Sequence, residues 1–455
     1  MKCLPICFGV NIEKNIPVFF GAFYKFLYHC QQNDWPILAQ EEYFEDPSTQ
    51  EEKYPIRLAD VSKINNIPDL KSIKLKNKNK YAITKEETES VLKEYSSKDD
   101  AWINLMYNKN KVLYNILDKK IKKILEDHKD VKYIILWRYN ETIDQIRKKY
   151  GLGLINMEMS GFRKNSYRFT LCYFQHSDKY QSKEFDEKYE RFTKELKTEK
   201  VNMLNRNQLI NLMVSKDELN NMIDEEYYTG FAMGLAKDYD TIATKSKTNN
   251  EILKELTSFE KKSTILIRKH PANYHYKYDH ENEFILDHSI SSIQFLSRCH
   301  RIVSSVSNIG MEAMLFGKTC YVLGNMPFKR FGYNSLDCND EYVINMQDLN
   351  FLIFCYLVPY EIALTQEYLD FREKNPTEVE IYNYHYKYIM NKYGKQLSQT
   401  VTKKAHDDWS KKQQEFVEIK KRCIELDAQV QAIINSRTWK IMEPLRKIKK
   451  VYKKD

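Results

Sequence analysis

A chain of 455 residues, 42% of them hydrophobic, can bury two or three domain cores at roughly 150 residues per domain, and wholesale disorder is excluded. The net charge of +9 gives only a mild bias towards anionic partners, and it is uneven: from Arg437 to the end, eight Lys/Arg stand against Glu443 and Asp455. The nine cysteines (Cys3, Cys7, Cys30, Cys172, Cys299, Cys320, Cys338, Cys355, Cys423) show no CxxC pair and are odd in number, which argues against a disulfide framework and for reduced, buried thiols in a cytoplasmic protein.

The chain opens MKCLPICFGVNIEKNIPVFFGAFYKF, whose apolar run is broken by Glu13 and Lys14 and lacks a small-residue cleavage site. It reads as strand, loop and helix, not as a signal peptide. No run approaches the ~20 apolar residues of a spanning helix. Residues 110–127 carry Val112, Leu113, Ile116, Leu117, Ile121, Ile124 and Leu125 at helical spacing. VKYIILW (131–137) predicts a strand, NETIDQIRKKYG a helix, and LGLINMEMSGF (152–162) a second strand ending in a turn. Strand, helix, strand is the grammar of a parallel sheet.

Residues 177–225 are strongly charged and read as connecting helices. The pattern then restarts: MGLAKDYDT (233–241) as a strand with its exit loop, TNNEILKELTSFEKK as an amphipathic helix, and STILIRKHP (263–271) as a strand ended by Pro271. ISSIQFLSRC follows as a helix, HRIVSS (300–305) as a strand, NIGMEAMLFG (308–317) as a helix and KTCYVLG (318–324) as a strand. The expected fold is α/β: two Rossmann-like halves facing a cleft in a GT-B arrangement, with a C-terminal helical, coiled-coil-like extension. The expected divisions are 1–176 for an acceptor-side half, 177–225 for a charged connector, 226–350 for a nucleotide-sugar half, 351–404 for a helical return and 405–455 for the tail. In the tail Trp409, Phe416, Ile419, Cys423, Leu426, Val430 and Ile433 follow a 3-4 spacing. A homo-oligomer through 409–433 and a seam packed on the same chain both fit it.

Three groups of residues have the chemistry of a transfer site. Arg268, Lys269 and His270 end a strand, where charge and an imidazole N–H suit a leaving phosphate; an HP pair alone also fits a solvated loop. Ser304, Ser305 and Ser307 precede a helix, where hydroxyls and free backbone N–H groups suit an anion. Gly310 would keep bulk away from it and Glu312 would reach a ribose hydroxyl; an ordinary helix cap fits these residues equally. Carboxylates come from both halves: Glu158 ends a strand before Gly161, Phe162 and Arg163, and Asp238 and Asp240 open the second half. One acid facing a glycosyl centre and one handling the acceptor proton is what glycosyl transfer needs.

With Trp137, Glu158, Gly161-Phe162-Arg163, LAKDYDT, RKHP and SxxGxEAMLFGK in this order, residues 130–330 resemble the bacterial β-Kdo transferases of capsule synthesis and O-antigen capping. The resemblance implies a retaining GT-B enzyme that moves Kdo from CMP-β-Kdo to a glycan or glycolipid in capsule or lipopolysaccharide synthesis. It implies Asp240 as nucleophile, with Asp238 as a rival because Leu235-Ala236 stands where the family has Leu-Gln. Glu158 would assist acceptor attack, although one extra residue separates it from Gly161. His270 and Ser304, Ser305 and Ser307 would contact the CMP phosphate and Glu312 the ribose. Arg163 or Lys269 would pair with the Kdo carboxylate. No cofactor or metal is expected. The tail segment SRTWKIMEPLRKIKK (436–450) is similar to the ends of many polysaccharide glycosyltransferases. Its apolar side and basic residues suit peripheral docking on the inner face of the cytoplasmic membrane. No nucleic-acid fold or stacking pattern is present. A CDP-glycerol-type polyol-phosphate transferase, a CMP-sialic acid transferase and a non-catalytic scaffold of an assembly complex remain open.

Overall fold

Strands covered by helices on both faces are written as near-continuous apolar runs, and the chain uses this device twice. The computed structural model describes residues 1–9, 16–53, 61–63, 67, 70–164, 166–177, 182–234, 241, 244–270, 283–337 and 344–398, with single positions Arg422, Leu426, Gln429 and Ala432 in the tail. In the first half the strands are β1 (Lys2–Cys7), β2 (Ile37–Gln40), β3 (Lys80–Ile83), β4 (Val131–Trp137), β5 (Gly153–Met159) and β6 (Leu171–Gln175). The second half holds β7 (Tyr227–Ala232), β8 (Ile265–Arg268), β9 (Ile285–Leu286), β10 (Cys299–Ser304) and β11 (Thr319–Val322). A last short strand, β12 (Val358–Pro359), returns to the first sheet and pairs antiparallel with β6.

The first sheet runs β12-β6-β5-β4-β1-β2-β3 and the second β11-β10-β7-β8-β9. From β5 through β3 the first sheet is parallel, and every pair of the second is. The fold is two Rossmann-like α/β halves in a GT-B arrangement, and residues 1–395 pack as one unit. Winding reverses between β1 and β4 in the first sheet and between β7 and β10 in the second. At such a reversal a crevice opens outside the carboxyl ends of the strands, the usual ligand position in open α/β sheets.

Local chemistry sets the helices. In helix Lys111–Asp127 the buried side chains are Leu113, Leu117, Ile121 and Ile124, and the Asn110 side chain accepts the Leu113 N–H at its start. Helix Asn249–Phe259 starts with a Thr248/Glu251 capping box and buries Ile252, Leu253 and Leu256 against Phe231, Ile265, Ile267 and Val303 of the second sheet.

The strand expected at 233–241 lies earlier, at β7, and ends at Ala232. Gly230 marks it: a Cβ there would meet the Cys299 Sγ at 2.5 Å and the Ile302 and Phe295 side chains at 2.9 Å. A small residue is required where this strand runs beneath its neighbours. Residues 235–240, with Asp238 and Asp240, lie outside the described residues, as do nearly all of the 409–433 seam and the whole 436–450 segment. Among the described residues no helix is long and apolar enough to cross a membrane. The seven described cysteines are free and buried.

Two buried histidines give the fold a pH dependence. His385 is enclosed between the Phe354 carbonyl and the Tyr368 hydroxyl, each 2.9 Å away, and burial, aided by Arg372, depresses its pKa to about 3. Burial, aided by Lys25, does the same for His29. In the unfolded chain both take protons below about pH 6.5 while the native state refuses them, so stability falls as pH drops from there. Each contributes up to about 1.4 kcal/mol per pH unit. The urea midpoint is therefore expected to drop between pH 7 and pH 5, and His385→Gln, if folded, reduces that slope.

Candidate active site

The β7/β10 crevice collects the predicted phosphate residues. Ser304 closes β10; its hydroxyl is fully buried and has no hydrogen-bond partner among the described residues. A buried unpaired hydroxyl costs roughly 1–3 kcal/mol, so it marks a place worth explaining. Ser305 is also buried and donates to the Lys247 carbonyl (3.0 Å), and Ser307 Oγ accepts the Ile309 N–H (3.4 Å). The helix after them, Ile309–Leu315, has Asn308 as its N-cap residue, without a side-chain cap bond.

From the neighbouring β8, Arg268 turns to one side: its guanidinium bonds Asp287 Oδ2 at 2.5 Å and the Ser289 carbonyl at 3.0 Å. Both bonds are made by its Nη1. Lys269 is half-buried beside it. His270 keeps a face exposed to solvent, yet surrounding protein first, then the Arg163 and Arg268 charges, lower its proton affinity below the ordinary imidazole range. The ring is therefore neutral at pH 7 and has one N–H to donate.

Arg163 belongs to the first half, just past β5, and the two halves meet beside it. Gly161 makes the meeting possible. A Cβ on it would stand 2.8 Å from the Asn308 carbonyl oxygen and 3.1 Å from Glu312 Cγ and Oε1. Tyr173 donates to Asn308 Oδ1 at 2.7 Å, and Tyr167 donates to Glu312 Oε2 at 2.9 Å. Glu312 also accepts from Ser292 at 2.7 Å. Burial raises its pKa, against the pull of those hydroxyls and of Arg163 and Arg268.

Two expectations change. Glu312 does not project towards a ribose: it is buried and bonded across the halves, as a first-turn acid with long-range partners. Gly310 does not clear space for a ligand: a Cβ there would meet the Phe328 ring at 2.8 Å and Cys320 Sγ at 3.3 Å, so the glycine serves packing. Glu158 is half-buried at the end of β5, opposite Tyr173, with Arg138 Nη2 at 3.7 Å. The structure thus brings Gly161, Tyr167 and Tyr173 of the first half against Asn308 and Glu312 of the second, while Asp238 and Asp240 stand outside the described residues.

Residues 10–184 match the glycosyltransferase 99 family N-terminal domain. No curated protein matches the chain. Among solved structures it is similar to Thermosulfurimonas dismutans KpsC, beta Kdo 2,7 transferase, at 14% identity over 54% of this chain and 87% of that one, with a TM-score of 0.39. Similarity to the beta Kdo 2,4 transferase of the same KpsC is 12% identity over 44% and 71%, TM-score 0.28. For the Methanocaldococcus jannaschii UDP-GlcNAc 2-epimerase in complex with UDP-GlcNAc and UDP the figures are 12% over 78% and 98%, TM-score 0.28. The fold assignment rests on strand order, not on these likenesses.

The first half contributes residues that the sequence alone passes over. Arg138, Tyr167 and Tyr173 reach Glu158, Glu312 and Asn308, the latter two far away in sequence. Only the position of Arg138, directly after a predicted strand, offered a local signal.

Proposed function

We propose that the chain transfers Kdo from CMP-β-Kdo to a glycan or glycolipid acceptor with retention of configuration. The observation that carries the reading is the gathering of Ser304, Ser305 and Ser307 with His270 at strand ends beside the β7/β10 reversal, opposite a glycosyltransferase 99 family domain. The order of the motifs supports CMP-Kdo as the donor. In this reading His270 donates to the phosphate as CMP departs, and the buried Ser304 hydroxyl, unpaired among the described residues, bonds to it as well.

Asp240 attacks the anomeric carbon, whose bond to the phosphate oxygen breaks with its electron pair leaving on CMP. The acceptor hydroxyl then displaces Asp240 from that carbon and yields its proton to Glu158, so two inversions give net retention. In this reading Arg163 or Lys269 pairs with the sugar carboxylate. The basic tail would hold the enzyme at the inner membrane surface near a lipid-linked acceptor. Thermal denaturation with added nucleotides tests the donor: CMP raises the midpoint in this reading, and a rise with CDP-glycerol alone would overturn it.

A further inference from the structure

The other winding reversal, between β1 and β4, has a crevice of its own. A pocket there, with ≈ 560 Å³ of atom-free space including its open mouth, is formed by the carboxyl ends of these two strands and the helix 98–107. Its half-buried lining is Phe8, Trp137, Arg138, Tyr139 and Asn140, over a buried Trp102. Among the described residues Arg138 is the only charged one in the pocket's lining.

Two observations set this pocket apart from ordinary packing. Arg138 has φ 76°, a left-handed conformation that is uncommon for a long side chain and that clusters at functional sites. It is held by its N–H bond to the Met157 carbonyl (3.2 Å), and the turn sets its guanidinium over Trp102, 5.7 Å from the ring centroid, and 3.7 Å from Glu158. The indole N–H of Trp137 is buried without a hydrogen-bond partner among the described residues, while Phe26 and Tyr360 pack edge-on to its ring.

We propose that this pocket binds a pyranose ring of the acceptor glycan, stacked on the aromatic side chains and hydrogen-bonded by Arg138 and Asn140. A pyranose has an apolar C–H face that suits aromatic rings. Its rim of hydroxyls suits a forked guanidinium and an amide. Arg138 touches both the pocket and Glu158, so a sugar seated here leaves the attacking hydroxyl beside the carboxylate that takes its proton. The inference rests on the transferase reading of Glu158.

The test is saturation-transfer NMR on the full chain with methyl glycosides of glucose, galactose, mannose, rhamnose, N-acetylglucosamine and Kdo at millimolar concentration, with CMP as a separate titrant. At least one glycoside is expected to receive saturation on its C–H face. Phe8→Ala and Arg138→Ala should each weaken that glycoside about tenfold (about 1.4 kcal/mol), while CMP still raises the melting midpoint of both variants. Absence of binding for every glycoside, unchanged binding in both variants, or displacement of the glycoside by CMP overturns the pocket's assignment. Failure of CMP to bind the wild-type protein overturns the donor reading instead, whatever the glycosides do.

Discussion

Glu158→Gln is expected to lower transfer to an acceptor by about 10²- to 10⁴-fold, the range for losing a positioned general base. The amide keeps the size and the Tyr173-facing position of the carboxylate but cannot accept a proton. CMP should stabilise the variant as well as it does the parent, because Glu158 lies in the first half and the residues proposed for the phosphate lie in the second. Steady-state kinetics with CMP-Kdo, read beside the CMP-induced melting shift, separate the two effects. Transfer within a few-fold of wild type would remove Glu158 from the chemistry.

Gly161→Val is the second large effect, and it acts through the junction of the halves. The added Cβ would lie 2.8 Å from the Asn308 backbone oxygen, and backbone cannot rotate away as a side-chain end can. The alternatives are to separate β5 from the 309–315 helix or to bend both. Either disturbs the Tyr167–Glu312 and Tyr173–Asn308 hydrogen bonds. Overpacking of this kind costs about 1–3 kcal/mol, and broken bonds to the buried Glu312 add to it. Urea unfolding should show a lower midpoint and thermal melting a lower Tm; a variant as stable as the parent would mean that the halves do not close on Gly161.

Much of this architecture is legible in the sequence. VKYIILW, STILIRKHP and HRIVSS are apolar enough to be nothing but covered strands, and they appear as β4, β8 and β10 within a few residues of the expected limits. Short strands escaped: ILAQ at β2 and the two residues of β12 have too few side chains to show a period. The strand β7 was misplaced because MGLA is more apolar than YYTGFA, whose Gly230 is there for close approach and adds nothing to hydrophobicity. Near the proposed site, the strand-end placements of Glu158, His270 and Ser304 are legible in the sequence. Glu312 was not, because its partners Tyr167 and Ser292 come from other elements. Arg268 likewise turned out to serve Asp287, a contact set by the neighbouring strand end and invisible in RKHP itself.

The measurement that bears most directly on the central claim is intact-mass spectrometry of the full chain mixed with freshly made CMP-Kdo, beside CMP-sialic acid and CDP-glycerol. The account predicts release of CMP from CMP-Kdo alone and a mass increase of one Kdo residue on the protein, absent in Asp240→Ala. Turnover of CDP-glycerol or CMP-sialic acid with CMP-Kdo untouched would contradict it, and so would an unchanged adduct in Asp240→Ala.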